Sequence, residues 1–344
     1  MGTGRMNYID VAKGIGIILV VFAHVNYTPE VLVFIYSFHM PLFFLISGML
    51  FDKNKYPDFI SFFKRRIKTL FIPYVIYEVI SIIWLYISER LFSDIYQVTK
   101  EEYIEFFKQI FISNWSGTHV NQPLWFVPCL FLVEILYYFI SKMKKSFRIP
   151  ICIVFVGIGW ILESGFLPFD NKLLPWSLDS ALFALGFYAI GNLASKYLKE
   201  YIGKINRSKY RMILYTEIFL LCMLLWIPLT MMNGKITLGS KILGNGFLLY
   251  INGILGTMMI LVISVLLEKN RFLIYCGRNS FLIMATHYII RNYIVKPLYI
   301  EGKGQIYDRI IVKETLIPFM LVFALSFLYV YIYNWVKNSI KSIK

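Results

Sequence analysis

No two cysteines in this chain stand close enough to form a CxxC element. Cys129, Cys152, Cys222 and Cys276 are scattered in or beside apolar segments, so neither a zinc knuckle nor a disulfide framework is indicated. Histidine is equally sparse, with four residues: His24, His39, His119 and His287. Three of them, His24, His39 and His119, would fall near one membrane face. No HExxH-type spacing accompanies them, and no bound metal is expected. Charged residues make up only 16% of the chain, against about 25% in soluble domains. Acidic residues are the scarcer kind, 20 against 35 Lys and Arg. Proline-, glycine- or serine-rich linkers, low-complexity tracts and sizeable hydrophilic segments are missing. So is a clear internal repeat of the kind that marks many transporters.

What takes their place is apolar sequence, 58% of 344 residues, with a mean hydropathy of +0.64. This composition, sustained over the whole length, predicts an all-α integral membrane protein forming one polytopic domain over residues 1–344, with no appended soluble domain. The net charge of +15 does not point to nucleic acid, because the basic residues sit in short clusters between apolar runs. Arg5 followed by an apolar run resembles a signal peptide. Asp10 and Lys13 interrupt that run and no small-residue cleavage site follows, so a retained first span is expected.

Apolar runs of roughly 18–22 residues fall near 7–25, 31–51, 68–88, 121–140, 149–164, 178–195, 211–232, 245–267, 279–296 and 311–336, about ten spans in all. The fifth, with Gly157 and Gly159, is the weakest. One set of alternate connections, including both termini, carries 24 Lys and Arg, and the other carries 10. That asymmetry predicts both termini in the cytoplasm and a multi-pass protein of the cytoplasmic membrane. The long connection 89–120 contains EEYIEFFKQIFISNW, whose apolar spacing predicts an amphipathic helix.

Polar groups at membrane depth are costly and tend to face a protein interior or a wet cavity. The first span carries Lys13 and His24, eleven residues apart, roughly 16 Å along a helix and nearly on one face. The second carries His39, with Pro41 two residues on. Each has an ordinary reading: Lys13 as a topology cation, His24 as an interfacial ring, His39 as a hydrogen-bonded structural residue. Together they suggest half of a site, with a cation at one depth and two imidazoles at another. The cluster Lys64, Arg65, Arg66 and Lys68 lies on the same side as Lys13, and plain topology also explains it. Arg291 follows His287 by one turn, so the two can share a face. Glu78 and Glu134 are membrane carboxylates that could orient or pair with such groups. Tyr27, Trp115, Trp125 and Trp176 fit either sugar stacking or a headgroup belt.

The ordered set of motifs resembles acyltransferase family 3. Lys13 to His24 is similar to its basic-x10-His signature, and Phe38-His39-Met40-Pro41-Leu42-Phe43-Phe44 with Ser47-Gly48 to its second-span motif. Lys64-Arg65-Arg66-Ile67-Lys68 leading to Pro73-Tyr74, then Leu124-Trp125-Phe126, and Gly277-Arg278-Asn279-Ser280 leading to His287, continue the match. The family often has arginine where this chain has Lys13, which keeps the charge but not the fork geometry. The resemblance implies a membrane O-acyltransferase that moves an acyl group, usually acetyl, from cytoplasmic acyl-CoA to a hydroxyl of a surface or lipid-linked glycan. It implies acyl-CoA as donor substrate and no tightly bound cofactor. It also implies His24, His39 and His287 as catalytic candidates, and Lys13, Arg65, Arg66, Trp125 and Arg291 as donor- or substrate-binding ones. A transporter or exporter of envelope glycan without covalent chemistry is the competing expectation.

Overall fold

The computed structural model describes residues 6–25, 28–92, 97–113, 120–164, 174–240, 242–297 and 311–343. Tyr27, Trp115 and His119 lie outside these. Among the described residues every regular element is helical, and the one strand-like pairing is an isolated bridge between Thr237 and Ile242. The helices are α1 (Asn7–Val25), α2 (Pro29–Tyr36), α3 (His39–Leu50), α4 (Phe59–Arg66), α5 (Ile72–Leu91), α6 (Lys100–Ile112) and α7 (Phe126–Lys142). They continue as α8 (Lys145–Glu163), α9 (Leu178–Arg207), α10 (Arg211–Asn233), α11 (Gly246–Leu266), α12 (Arg271–Arg278), α13 (Ser280–Ile290) and α14 (Ile311–Ile343).

Nine helical stretches among the described residues are long and apolar enough to cross a bilayer, and they overlap nine of the ten expected spans. The remaining span, 279–296, is helical but not regular: α13 runs into a π-turn at Arg291–Val295. A second π-turn, Ile67–Phe71, joins α4 to α5 just before Pro73. Proline has no N–H to give and crowds the carbonyl four residues back, so the ladder there widens rather than closing regularly. The chain is therefore an all-α integral membrane protein. The expected amphipathic helix is present as α6, started by a capping box in which Thr99 and Glu102 bond each other's backbone N–H.

Burial sorts the helices. Within its most apolar window the stretch Gln122–Lys142 is 78% buried, whereas Arg211–Asn233 is only 11% buried. With no water to shed between lipid-like faces, membrane helices associate through close packing at small residues. That is how α1 meets α12. A Cβ on Gly14 would collide with the Leu273 carbonyl, and one on Gly277 with the Asp10 carbonyl. Asp10 pairs with Arg278 at 3.1 Å across the same contact. On α9, Asn192 donates to the carbonyls of Gly48 and Phe51, and Ser195 donates to that of Met49. At the opposite end, Trp176 Nε1 donates to the Phe111 carbonyl at 2.6 Å. Each of these contacts joins segments that the alternating charge pattern puts on one side. The end formed by the more basic set of connections among the described residues is called the basic end below.

Candidate active site

The second span does not form one helix. α2 ends at Tyr36 and α3 begins at His39, with Phe38 at φ −142° between them. Pro41 is the physical reason, since its ring excludes a regular turn over Ser37. Ser37 Oγ donates to the Phe34 carbonyl and accepts from Trp226 Nε1, which holds the break. The break thus falls just ahead of Pro41 and turns His39 inward.

Lys13, His24 and His39 line one cavity of about 230 Å³. Its walls come from α1, α2, α3, α7 and α13, the π-turn Ile67–Phe71, the turn Gln122–Trp125, and the segment between α10 and α11. Lys13 lies toward the basic end and the histidines toward the other. His287 stands beside them, fully buried, its ring 5.0 Å from that of His24 in an edge-to-face contact. Tyr288 also meets the His24 ring edge-on at 5.8 Å, and Tyr36 lies 4.9 Å from His39.

The three histidines share one device. His24 Nδ1 lies 2.8 Å from the Val20 carbonyl, His39 Nδ1 2.9 Å from that of Ile35, and His287 Nδ1 3.0 Å from that of Ile283. A carbonyl oxygen only accepts, so in each neutral ring Nδ1 carries the proton and Nε2 keeps its lone pair. For His287 that Nε2 is buried without a hydrogen-bond partner. An alcohol O–H entering the cavity thus meets basic nitrogen rather than a competing donor. The side chains of Tyr36, Gln122, Thr237 and Ser280 also line the cavity and can donate to a developing oxyanion.

At the basic end the sequence-predicted residues separate. Arg66 turns inward. Its Nε lies 2.8 Å from Glu134 Oε2, although the N–H is not aligned on that oxygen, and its guanidinium lies over the rings of Phe62 and Tyr56. The charges of Arg66 and Lys13 both act on Glu134. Arg65 is exposed and does not reach the cavity lining. Arg291 opens the π-turn after α13, lies over the Tyr288 ring and bonds Asn292. Its charge acts on His24 and His287, but its side chain is not in the cavity wall. Glu78 is buried on α5, with Oε1 lacking a hydrogen-bond partner, and it too is outside the wall. Trp176 stacks on Phe71, away from the cavity.

Trp125 does line the cavity, and its neighbour is one the sequence reading missed. Between α10 and α11 the chain turns back into the protein: Ile236, Leu238 and Leu243 are buried, and Thr237 and Leu238 reach the cavity. Thr237 N donates to the Ile242 carbonyl at 2.7 Å, and Asn233 and Asn245 clamp the base of the hairpin. Gly239, at φ +97°, rests on Trp125; an added Cβ would lie 3.2 Å from three atoms of its ring. The spacing of Gly234, Gly239 and Gly244 within NGKITLGSKILGNG is the sequence signal for this hairpin. Asn121, also missed, donates to Ser81 Oγ and to the Ala285 carbonyl, tying the turn before Trp125 to α5 and α13.

A search of curated proteins returned no match. The family model of acyltransferase family 3, described as an acyltransferase domain, matches residues 6–336, nearly the whole chain and every element of the cavity. The chain belongs to acyltransferase family 3, and it is a membrane acyltransferase.

Proposed function

We propose that the protein moves an acyl group, acetyl by family default, from acyl-CoA at the basic end to a hydroxyl of a surface or lipid-linked glycan at the histidine end. The observation that carries this reading is the single cavity with a lysine at one end and acceptor-ready imidazoles at the other. The excess of Lys and Arg at the basic end supports a cytoplasmic placement of that end and of both termini, in the cytoplasmic membrane. Acyl-CoA carries several phosphates, and Lys13, with the exposed cluster around Arg65, offers an attractive entrance for them. Arg66 is already paired with Glu134 and in this reading joins α4 to α7 behind the cavity rather than binding phosphate.

In the transfer, Nε2 of His24 takes the proton from the acceptor hydroxyl as that oxygen attacks the thioester carbonyl. The tetrahedral oxyanion takes hydrogen bonds from the lining hydroxyls and amide. When it collapses the C–S bond breaks, and the leaving thiolate receives the proton from the imidazolium. His287, edge-on to His24, and His39, fixed by the Ile35 carbonyl, flank the base with rings whose N–H groups are already bonded to carbonyls. Trp125, fixed by Gly239, walls the acceptor side.

The test is radiolabelled acetyl-CoA with membranes carrying the wild type or His24→Ala, read both as labelled glycan and as free thiol. Wild type should give both and the variant neither. Undiminished labelling in the variant refutes the role of His24. A protein that moves glycan without releasing thiol is the transporter instead.

A further inference from the structure

A second cavity, of about 450 Å³, lies between the first half of α8 and the middle of α9. From α8 it takes Ile149, Cys152, Ile153 and Val156. From α9 it takes Gly186, Ala189, Ile190 and Leu193. Both sets recur at i, i+3, i+4 and i+7, so each is a single stripe about 10 Å long, and the two stripes face each other. Farther along, the helices touch directly: a Cβ on Gly159 would collide with the backbone of Leu182 and Phe183. The gap is therefore a wedge, pinned at Gly159 and opening toward the basic end. Ala189 has almost no side chain to fill it, and the space beside Gly186 is taken by Tyr250. Tyr250, which donates to the Phe183 carbonyl, closes its deep end.

The flank of the wedge is apolar and uncovered. Ile149 is 55% exposed, Ile153 65% and Leu193 51%, so the groove opens sideways onto hydrocarbon. Its rim is cationic. Lys53 and Arg148 line it, and the exposed Lys142, Lys144 and Lys145 follow in the α7–α8 connection. Arg148 is held at the rim by two donations to the Met143 carbonyl. The one acid, Asp52, is turned to the backbone N–H of Asn54.

We propose that this wedge binds one anionic phospholipid of the surrounding leaflet, with an acyl chain between α8 and α9 and its phosphate between Lys53 and Arg148. Tyr137, Ser141 and Asn192 also line the gap, but Tyr137 donates to Asn192 and Ser141 to the Tyr138 carbonyl, so the lining facing lipid is mostly apolar and gains dispersion contacts when hydrocarbon fills it. Basic pockets between spanning helices suit anionic headgroups. Free phosphate shares the headgroup chemistry but leaves both stripes unfilled. The site is separate from the transfer cavity, with which it shares no lining residue.

The test is native mass spectrometry of the full-length protein from detergent containing equal phosphatidylglycerol and phosphatidylcholine. Wild type should retain one phosphatidylglycerol, preferred by roughly tenfold or more for two rim cations. Lys53→Gln with Arg148→Gln should bring the two lipids level. Leu193→Trp, at a position exposed enough to accept bulk, should lose retention of both, with lipid-free thermal unfolding confirming that it is folded. Millimolar inorganic phosphate or CoA should not displace the lipid. Equal retention of both lipids by wild type, an unchanged preference in the double variant, or displacement by phosphate overturns the proposal.

Discussion

The two ends of the transfer cavity satisfy their costly polar groups by opposite means. At the histidine end each imidazole is bonded within its own chain segment, to a carbonyl four residues back. At the basic end the charges are satisfied between helices, Arg66 of α4 with Glu134 of α7 and Arg278 of α12 with Asp10 of α1. A local bond fixes orientation and tautomer while leaving the reactive nitrogen open. A cross-helix ion pair holds two helices together and spends the charge. The first arrangement suits chemistry and the second suits architecture, so substitutions at the two ends should damage different properties.

The largest effect should come from the histidine end. Replacing His24 by alanine should lower acyl transfer by about 10²–10⁴-fold, the usual worth of a positioned base. Its thermal unfolding in detergent should move little, because the one described hydrogen bond it loses is to its own helix. A comparable loss of folded protein would mean that the imidazole is structural and the contrast between the ends false.

Glu134→Gln should show the reverse. It strands Arg66 in a mostly enclosed position, its side chain 19% exposed. The cost should be about 2 to 3 kcal/mol, somewhat below that of breaking a fully buried pair. Transfer per folded molecule should fall by less than about tenfold, since Arg66 and Glu134 are outside the cavity wall and hold less than the full effect of a catalytic group. Removing the partner as well, as Arg66→Met with Glu134→Gln, should recover part of the stability. Failure of the double variant to recover any would show that the pair is not what joins α4 to α7.

Much of this was legible before the structure. Nine of the ten expected spans are long apolar helices, because twenty consecutive apolar residues leave a bilayer-spanning helix as nearly the only outcome. Lys13 and His24 do line one cavity, as eleven residues on one helix dictate. What could not be read was which of two adjacent arginines turns inward. Arg65 and Arg66 are separated by 100° of helix, and only the position of Glu134 on a distant helix selects Arg66. The hairpin between α10 and α11 was also hidden. Its polar composition reads as an ordinary outer turn, and its burial depends on the face of Trp125. Trp176 could not be told from Trp125, since both stand near span ends and the packing of Phe71 decides between them.

That hairpin allows a finer cut within the site. Gly239→Ala places a Cβ against Trp125 at a φ of +97°, a conformation costing an ordinary residue roughly 1–2 kcal/mol. If the hairpin walls the acceptor side, the acceptor KM should rise about five- to thirty-fold, the equivalent of that strain, while acyl-CoA KM is unchanged. A matching rise in both would place the hairpin on the donor path and blur the division between the two ends.

The smallest effect should come from a local device with no reactive duty, the capping box of α6. Thr99 accepts from the Glu102 N–H, and Glu102 accepts from the Thr99 N–H at 2.8 Å. That donated bond holds the exposed Glu102 carboxyl below its ordinary range. A group so depressed contributes its stabilisation above the unfolded carboxylate pKa and loses it as the pH falls through the folded value. Thr99→Ala should therefore raise amide exchange in the first turn of α6 by about fivefold at neutral pH, the usual worth of a cap. The gap between wild type and variant should narrow in acid, where the wild-type box itself comes apart. Transfer activity should be unchanged, because local satisfaction matters for chemistry only where, as in His24 and His39, the bonded ring lines the cavity. Exchange rates that rise across α5 as well would show that the cap supports more than its own helix.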